Sequence, residues 1–338
     1  MKKKYLVIFA TLIVSCSLLL SGCKKNSKEV VIYTSCDQVF AEPILKEFED
    51  NTGIKVQAVY DVEANKSTGL ANRILTEKDR PQSDVFWSSE LAQTLSLKSK
   101  DVLESYKVKS ASDLPAEYVD SNNMWTGFAG RARVILVNKN LVSKENYPKS
   151  INDFLSDKWP ATKVGIAHPI FGTANTQAAA LYAYLGAEKG KDFYKQLKDR
   201  GVMVVDGNSV VKDMVISGQL MFGLTDTDDA KEAIEKGAPV DVVFPDQDNM
   251  GTLVVPNTVA LVKGCPNSEN GKKLVEYLAS EEVEKKLIEE GFCEVPIHEG
   301  NKNISTTAAN VKTMKVSFED IFKNVEQVKT ELSDIFVR

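Results

Sequence analysis

The sequence is poor in the residues and motifs on which enzyme catalysis and transition-metal binding most often depend. Only two histidines, His168 and His298, occur in 338 residues, and neither has a second ligand at metal-site spacing. The GxSxG, HExxH and P-loop motifs are absent, as is a GxGxxG after a strand. These absences exclude the enzyme classes that carry such motifs, so we predict a protein with no catalytic residues and no cofactor.

Cysteine is also scarce, and no two cysteines have the CxxC spacing of a metal or redox site. Cys16 and Cys23 belong to the N-terminal segment described next. Of the other three, Cys265 and Cys293 could form a disulfide in an exported protein, with buried free thiols as the alternative. The sequence leaves this choice open, and it does not show whether Cys36 touches a ligand.

The N-terminal segment has the pattern of a secretory signal peptide. Three lysines follow Met1, residues 5–20 (YLVIFATLIVSCSLLL) are apolar, and the sequence LSGC ends at Cys23. The apolar run is short for a spanning helix, which needs about 20 residues, and LSGC resembles the bacterial lipobox. We therefore expect a signal peptide at 1–22, lipidation of Cys23 and a tether at 23–28. The protein would then be anchored to the outer face of the bacterial cell membrane.

Length and composition indicate a folded protein of roughly two domains. Hydrophobic residues make up 43% and charged residues 26% of the chain, and the formal net charge is −5. An acidic chain is a poor candidate for nucleic-acid binding. We therefore expect no nucleic-acid partner.

Short apolar runs alternate with amphipathic segments along the chain. Residues 30–33 (VVIY) and 54–59 (IKVQAV) are typical of strands, and residues 40–50 (FAEPILKEFED) have helical spacing. This alternation predicts an α/β fold with mostly parallel sheets flanked by helices. Ligands of such folds bind beyond the carboxyl ends of strands. The loops at 34–37, 88–90, 171–176 and 225–229 are therefore the candidate site.

Most polar residues of these loops also have an ordinary structural explanation. Thr173, after Gly172, could cap a helix or help to bind an anion at its N-terminus. Glu90 could stabilise a helix that Ser88 caps. Arg131 and Arg133 point to the same side of an extended segment, where they could grip a phosphate or a carboxylate, or simply lie in solvent.

The stretch LTDTDDA at 224–230 places three carboxylates within four residues. Asp226 as the N-cap of a helix, with Asp228 and Asp229 in the first turn, would use the helix dipole. One or two acids suffice for that purpose, and three close carboxylates repel one another unless a cation or hydrogen-bond donors compensate. The surplus of acids suggests a ligand.

Several segments resemble, in order, those of the ferric-binding group of the extracellular solute-binding proteins of ABC importers. They are VVIYTSCDQVFAEPILKEFEDNTGIKVQAVY, ANRILTEKDRPQSDVFWSSE, GFAGRARVILVN and FGLTDTDDA. The resemblance implies a two-lobed type II periplasmic-binding-protein fold with a cleft that closes on its ligand. It also implies an ABC permease and an ATPase as partners, and a monomer. We expect residues 29–131 plus 257–305 to form lobe 1, and residues 132–256 plus 306–338 to form lobe 2.

The resemblance also implies positions for ligand-binding residues. Asp37 stands where iron-binding members have a first-loop ligand, Glu90 matches a glutamate ligand, and Gly172-Thr173-Ala174 resembles the turn that holds a synergistic anion. The expected binding residues are Ser35, Asp37, Ser89, Glu90, Arg131, Arg133, Gly172, Thr173, Ala174, Asp226, Thr227 and Asp228.

One departure from the group bears on the ligand. Thr227 and Asp228 stand where the iron-binding members carry adjacent tyrosines. The sequence therefore favours an organic phosphate or phosphonate, bound through Arg131, Arg133 and the turn at Thr173, with the acids binding its hydroxyls or an ammonium. The alternative is ferric iron or another hard cation held by Asp37, Glu90 and Asp228. A third reading, an exported hydrolase, lacks a nucleophile and base.

Overall fold

The computed structural model describes residues 28–61, 68–304, 308 and 310–337. The expected signal peptide, Cys23 and the expected tether except Lys28 lie outside the described residues. Within the described part of the chain, no helix is both long enough and apolar enough to cross a lipid bilayer.

The described residues form ten β-strands. In chain order they are β1 (Glu29–Thr34), β2 (Lys55–Tyr60), β3 (Val85–Ser88), β4 (Leu103–Glu104), β5 (Thr126–Asn138), β6 (Val164–Ala167), β7 (Met203–Val205), β8 (Phe222–Asp226), β9 (Val240–Val243) and β10 (Val254–Val262).

The same residues form ten α-helices, which flank the strands. They are α1 (Gln38–Thr52), α2 (Gly69–Thr76), α3 (Leu91–Ser99), α4 (Gly172–Leu185), α5 (Ala187–Arg200), α6 (Asn208–Ile216), α7 (Thr227–Glu235), α8 (Ser268–Leu278), α9 (Glu281–Glu289) and α10 (Phe318–Ile335).

Helix α1 illustrates how local sequence defines an element. Ala41, Ile44, Leu45 and Phe48 recur at helical spacing and are buried on one face. The helix ends at Gly53, whose φ of 68° lies in the left-handed region, and whose N–H donates to the carbonyl of Glu49. This is the helix that the spacing of residues 40–50 predicted.

The strands form one mixed sheet in the order β2-β1-β3-β10-β5-β8-β6-β7, with β4 beside β10 and β9 beside β5. The outer strands are parallel, whereas β5 and β10 run antiparallel to their neighbours. The first part of β5 pairs with β10, and its second part pairs with β8 and β9. Thus β5 joins a first half-sheet (β1–β4 and β10) to a second half-sheet (β6–β9). The predicted α/β class is confirmed.

The backbone is irregular where β5 pairs with β10. Ala129 has a φ of 46°, and the register shifts between Pro256 and Asn257. The buried carboxylate of Glu284 accepts the N–H of Ala129, and the amide of Asn257 donates to the carbonyl of the same alanine. A polar network therefore fixes this bulge in the middle of the sheet.

Cys36, Cys265 and Cys293, the cysteines of the described residues, are buried, and none of them is in a disulfide. The alternative of a disulfide between the last two is therefore not realised. Burial raises the pKa of the Cys265 thiol to about 12. It also raises the pKa of the Cys293 thiol. Cys293 also takes part in the network at the bulge, because its thiol donates to the carbonyl of Ala129 and accepts from the amide of Asn257.

Candidate functional site

Polar loops of the two half-sheets meet beside β5. The first half-sheet contributes the residues after β1 and β3, and the second contributes the start of α4 and the end of β8. Several hydrogen bonds cross from one to the other, including one from the hydroxyl of Thr176 to Glu90 Oε1 at 2.8 Å. The four loops selected from the sequence thus lie together.

Arg133, in β5, forms the most buried part of this site. Its side chain is 1% exposed, and its Nη1 donates to Asp226 Oδ1 at 2.7 Å. The same nitrogen contacts Asn208 Oδ1 at 3.0 Å and Thr173 Oγ1 at 3.2 Å. Asp226 Oδ2 in turn accepts from the Thr173 hydroxyl at 2.6 Å and from the Asn208 amide at 2.9 Å. Both charges are therefore paired and hydrogen-bonded, as buried charges require.

Arg131, two residues earlier in β5, lies nearer the surface and links the two half-sheets. Its Nη1 donates to Asp228 Oδ2 at 2.9 Å, and its Nη2 donates to the carbonyl of Ser89 at 2.7 Å. The guanidinium lies 6.0 Å from the ring centre of Phe292. The Asp228 side chain is 34% exposed, so this ion pair is accessible in a way that the Arg133 pair is not.

Glu90 is buried and uses both carboxylate oxygens. Oε2 accepts the N–H of Ala92 at 2.9 Å, which makes Glu90 the N-cap of α3, and Oε1 accepts the Thr176 hydroxyl. Burial raises the pKa of this carboxyl, although both hydrogen bonds act in the opposite direction. The sequence analysis expected Ser88 as the cap. Ser88 instead ends β3, and α3 begins three residues later.

Ser35 and Ser89 hold the ends of β1 and β3 together. The N–H of Ser89 donates to Ser35 Oγ at 3.0 Å, and the two hydroxyls lie 3.3 Å apart. Ser89 also presents its carbonyl to Arg131. The hydroxyls of these serines are used in holding the two strand ends together. The serines therefore form the wall of the site.

The carboxylates of Asp226, Asp228 and Asp229 converge, with ligand atoms within 4.8 Å of one another. Burial, together with the charges of Asp228 and Asp226, raises the pKa of Asp229 to about 7 from an ordinary 3.8. The Thr225 hydroxyl donates to Asp229 at 2.9 Å and opposes this shift. The site thus holds more negative charge than its two arginines and hydroxyls stabilise.

An acidic cleft of about 310 Å³ opens next to these aspartates. Its lining comprises Asp37, Phe40, Asp228, Asp229, Lys231, Glu232, Glu235, Glu290, Gly291 and Phe292. Six of these residues are acidic and one is basic. Its volume is in the range of small-molecule sites, and its charge would attract a cation.

The side chain of Asp226 does not cap a helix, contrary to the expectation from the sequence. Asp226 is the N-cap residue of α7, but its carboxylate makes no capping hydrogen bond, because Arg133, Thr173 and Asn208 occupy both oxygens. Thr173 likewise does not cap α4, whose N-cap is Phe171.

The remaining predicted residues have supporting positions. Thr227 accepts the N–H of Ala132 through its hydroxyl. Gly172 has a φ of 50° at the start of α4, and Ala174 packs into the apolar core beside it. Asp37 lines the cleft. The structure brings the predicted set together, with these residues at its edges.

The sequence analysis missed Asn208 and Phe292 as site residues, and it included Thr176 and Asp229 in the candidate loops but not among the expected binding residues. Asn208 begins α6 three residues after β7 ends, so its position beyond a strand end was a usable signal. Phe292 lies in an irregular segment after α9, where periodicity carries no information. Its place in the cleft depends on the fold.

Comparison with known proteins places these features in context. Residues 83–325 match the family described as bacterial extracellular solute-binding protein. The major ferric iron-binding protein of Neisseria meningitidis serogroup B is 25% identical over 265 residues, 77% of this chain and 78% of that protein. A putative 2-aminoethylphosphonate-binding periplasmic protein of Salmonella typhimurium is 24% identical over 225 residues, 65% and 64% of the two chains.

Solved structures support the same fold. Apo ferric ion-binding protein A of Pasteurella haemolytica superposes with a TM-score of 0.80 at 25% identity, and the match covers 92% of this chain and 100% of that one. The α/β architecture with a cleft beside the central strands is therefore shared with periplasmic binding proteins.

Proposed function

The chain belongs to the bacterial extracellular solute-binding proteins, and on this premise we propose that its solute is a small organic zwitterion whose ammonium group the aspartates hold. Proteins of this family bind small ligands outside the cytoplasm for ABC permeases and are not enzymes. The geometry of the site adds to this general function the class of solute that we propose.

The single observation that carries the proposal is the accessible ion pair of Arg131 and Asp228 at the head of an acidic cleft. Its two members present opposite charges side by side, which matches a molecule with an ammonium at one end and an acid at the other. Burial first, and then the charges of Asp228 and Asp226, raise the pKa of Asp229, and a positive charge beside this carboxyl would oppose that shift. An ammonium would supply that charge, and the acidic end of the solute would turn toward Arg131.

Arg131 and Arg133 are not equivalent. Their difference makes the ammonium group of the solute, and not its acidic group, the main point of contact. The sequence analysis favoured an organic phosphate or phosphonate held by both arginines. Arg133 is 1% exposed and is neutralised by Asp226, so it offers little to a solute. Of the two arginines, Arg131 is the one that can bind an acidic group. The relative whose name includes 2-aminoethylphosphonate supports an amine-bearing phosphonate as a probe.

A hard cation is the second candidate, supported by the three converging carboxylates and by the ferric iron-binding relatives. Two features weigh against it. The described contacts of Asp226, Thr227 and Asp228 include no tyrosine hydroxyl. Arg131 also places a permanent positive charge 2.9 Å from Asp228 Oδ2, where a metal would bind.

The proposal extends to how the protein works in the importer. Lobe 1 (29–131 plus 257–305) and lobe 2 (132–256 plus 306–338) would close on the solute by differential affinity for the closed state. The hydrogen bond between Thr176 and Glu90 and the ion pair of Arg131 with Asp228 each join a residue of lobe 1 to a residue of lobe 2, and they support closure along this line. An ABC permease, powered by its ATPase, would receive the solute from a monomer anchored through lipidated Cys23.

The test is a thermal-shift series with three matched probes: 2-aminoethylphosphonate, ethylphosphonate and ethanolamine. We expect 2-aminoethylphosphonate to raise Tm most, because it alone satisfies both Asp228 and Arg131. Ethylphosphonate, which lacks the amine, should give little or no shift. Equal shifts with the two phosphonates would contradict the role of the aspartates, and a shift with Fe³⁺ alone would favour the second candidate.

Two variants locate the binding group. Asp228→Asn should weaken binding of 2-aminoethylphosphonate by about 10- to 100-fold, the usual value of a hydrogen bond between charged groups. Glu235→Gln is the matched control, because Glu235 lies on the same cleft but is exposed. Equal losses in both variants would indicate a general effect of cleft charge instead of a contact at Asp228.

A further inference from the structure

The pair of Arg133 and Asp226 has the features of an occupied anion-binding site. Arg133 is buried, and its Nε has no hydrogen-bond partner among the described residues. Its Nη1 and the side chains of Thr173 and Asn208 surround one carboxylate, that of Asp226. These are the donors that a protein uses to bind a small oxyanion.

Three helices begin around this carboxylate. Thr173 is in the first turn of α4, Asn208 is the first residue of α6, and Asp226 itself precedes α7. Helix N-termini carry partial positive charge that favours an anion. The carboxylate makes no capping bond to α7, so capping does not explain its position. Neutralising Arg133 does explain it.

We propose that Asp226 is a built-in anion that fills this site and thereby excludes free oxyanions from Arg133. Asp226 thus determines specificity, because the acidic group of a solute cannot bind to Arg133. It also makes a separate anion beside the solute unnecessary. The turn at residues 172–174, where the family resemblance implied an external anion, is occupied by a side chain of the protein itself.

This inference does not depend on the identity of the solute. It concerns the site around Arg133, whereas the proposed function concerns the ion pair at Arg131. Its test uses formate as the probe, because Asp226→Ala removes a carboxylate and leaves a methyl group, and formate matches the missing group in size and charge.

We expect Asp226→Ala to lower Tm by roughly 5 to 15 °C, because it leaves the guanidinium of Arg133 buried and unpaired. Formate should then raise the Tm of this variant by about 3 to 5 °C at ten times its dissociation constant. The same concentrations should leave the wild-type protein unchanged, with chloride as the ionic-strength control. Glu235→Ala is the control variant and should not respond, because Glu235 is exposed and its carboxylate pairs with Lys231.

A lack of response to formate in a folded Asp226→Ala protein would overturn the inference. Asp226→Asn covers the case in which the alanine variant does not fold, because asparagine keeps the shape and removes only the charge. We expect its Tm to fall by roughly 5 to 15 °C as well. A Tm equal to that of the wild type would show that Arg133 does not need an anion at this position.

Discussion

Replacing Asp229 with asparagine should stabilise the protein, and the gain in stability should be larger at alkaline pH than in acid. Burial and the charges of Asp228 and Asp226 raise the pKa of Asp229 to about 7 in the folded protein, against an ordinary 3.8. The folded state therefore binds the proton more tightly than the unfolded state. Between these two pKa values, the stability contributed by this group falls as pH rises.

The size of the effect follows from the same two pKa values. One pKa unit corresponds to about 1.4 kcal/mol. The burial of Asp229 therefore costs about 4 kcal/mol above pH 8, where the carboxyl is ionised, and about 1.5 kcal/mol at pH 5, where the folded protein keeps it protonated. Asparagine keeps an acceptor for the Thr225 hydroxyl and has no charge to bury. The gain in stability from Asp229→Asn should thus be about 2 to 3 kcal/mol larger at pH 8 than at pH 5.

Urea unfolding of both proteins at pH 5 and pH 8, followed by tryptophan fluorescence, measures this difference. Asp206→Asn serves as a control for a general change in net charge, because Asp206 lies outside the aspartate cluster. A gain that is the same at both pH values would refute the argument that Asp229 is protonated near neutrality because of burial and its neighbours.

Two further predictions concern the fold around the site. Glu284→Ala should lower the free energy of unfolding, measured in urea, by about 3 kcal/mol or more. The reason is that the N–H groups of Ala129, Ile297 and His298 lose their buried acceptor. A variant as stable as the wild type would contradict this. Cys265, whose thiol pKa is raised to about 12, should not react with a charged thiol reagent at pH 8 until the protein is unfolded. Rapid labelling of native Cys265 would show that this thiol is not shielded.

The sequence predicted the fold well where hydrophobic periodicity was strong. The spacing of Phe48 and its apolar neighbours predicted α1, and the alternation of short apolar runs predicted the α/β class. The strand-end rule then selected loops that do lie together. This succeeded because the positions of loops in an α/β fold follow from the order of its elements.

The roles of individual side chains could not be predicted in the same way. Local sequence suggested helix caps for Asp226 and Thr173, since both stand at helix starts. In the folded protein they contact each other across 53 residues of chain, and Arg133 binds both. A buried arginine outcompetes a capping N–H for a carboxylate, and only the fold shows which arginine is buried.

Calorimetry of 2-aminoethylphosphonate binding at pH 6.5, in two buffers with different ionisation enthalpies, tests the central claim most directly. The claim is that the aspartate cluster holds the ammonium group. An ammonium beside Asp229 would lower the pKa of its carboxyl from about 7. Binding should therefore release about 0.8 proton more from the wild-type protein than from Asp229→Asn at pH 6.5, and about 0.1 more at pH 8, because the phosphonate titrates equally in both. Equal proton release by the two proteins at pH 6.5 would contradict the account.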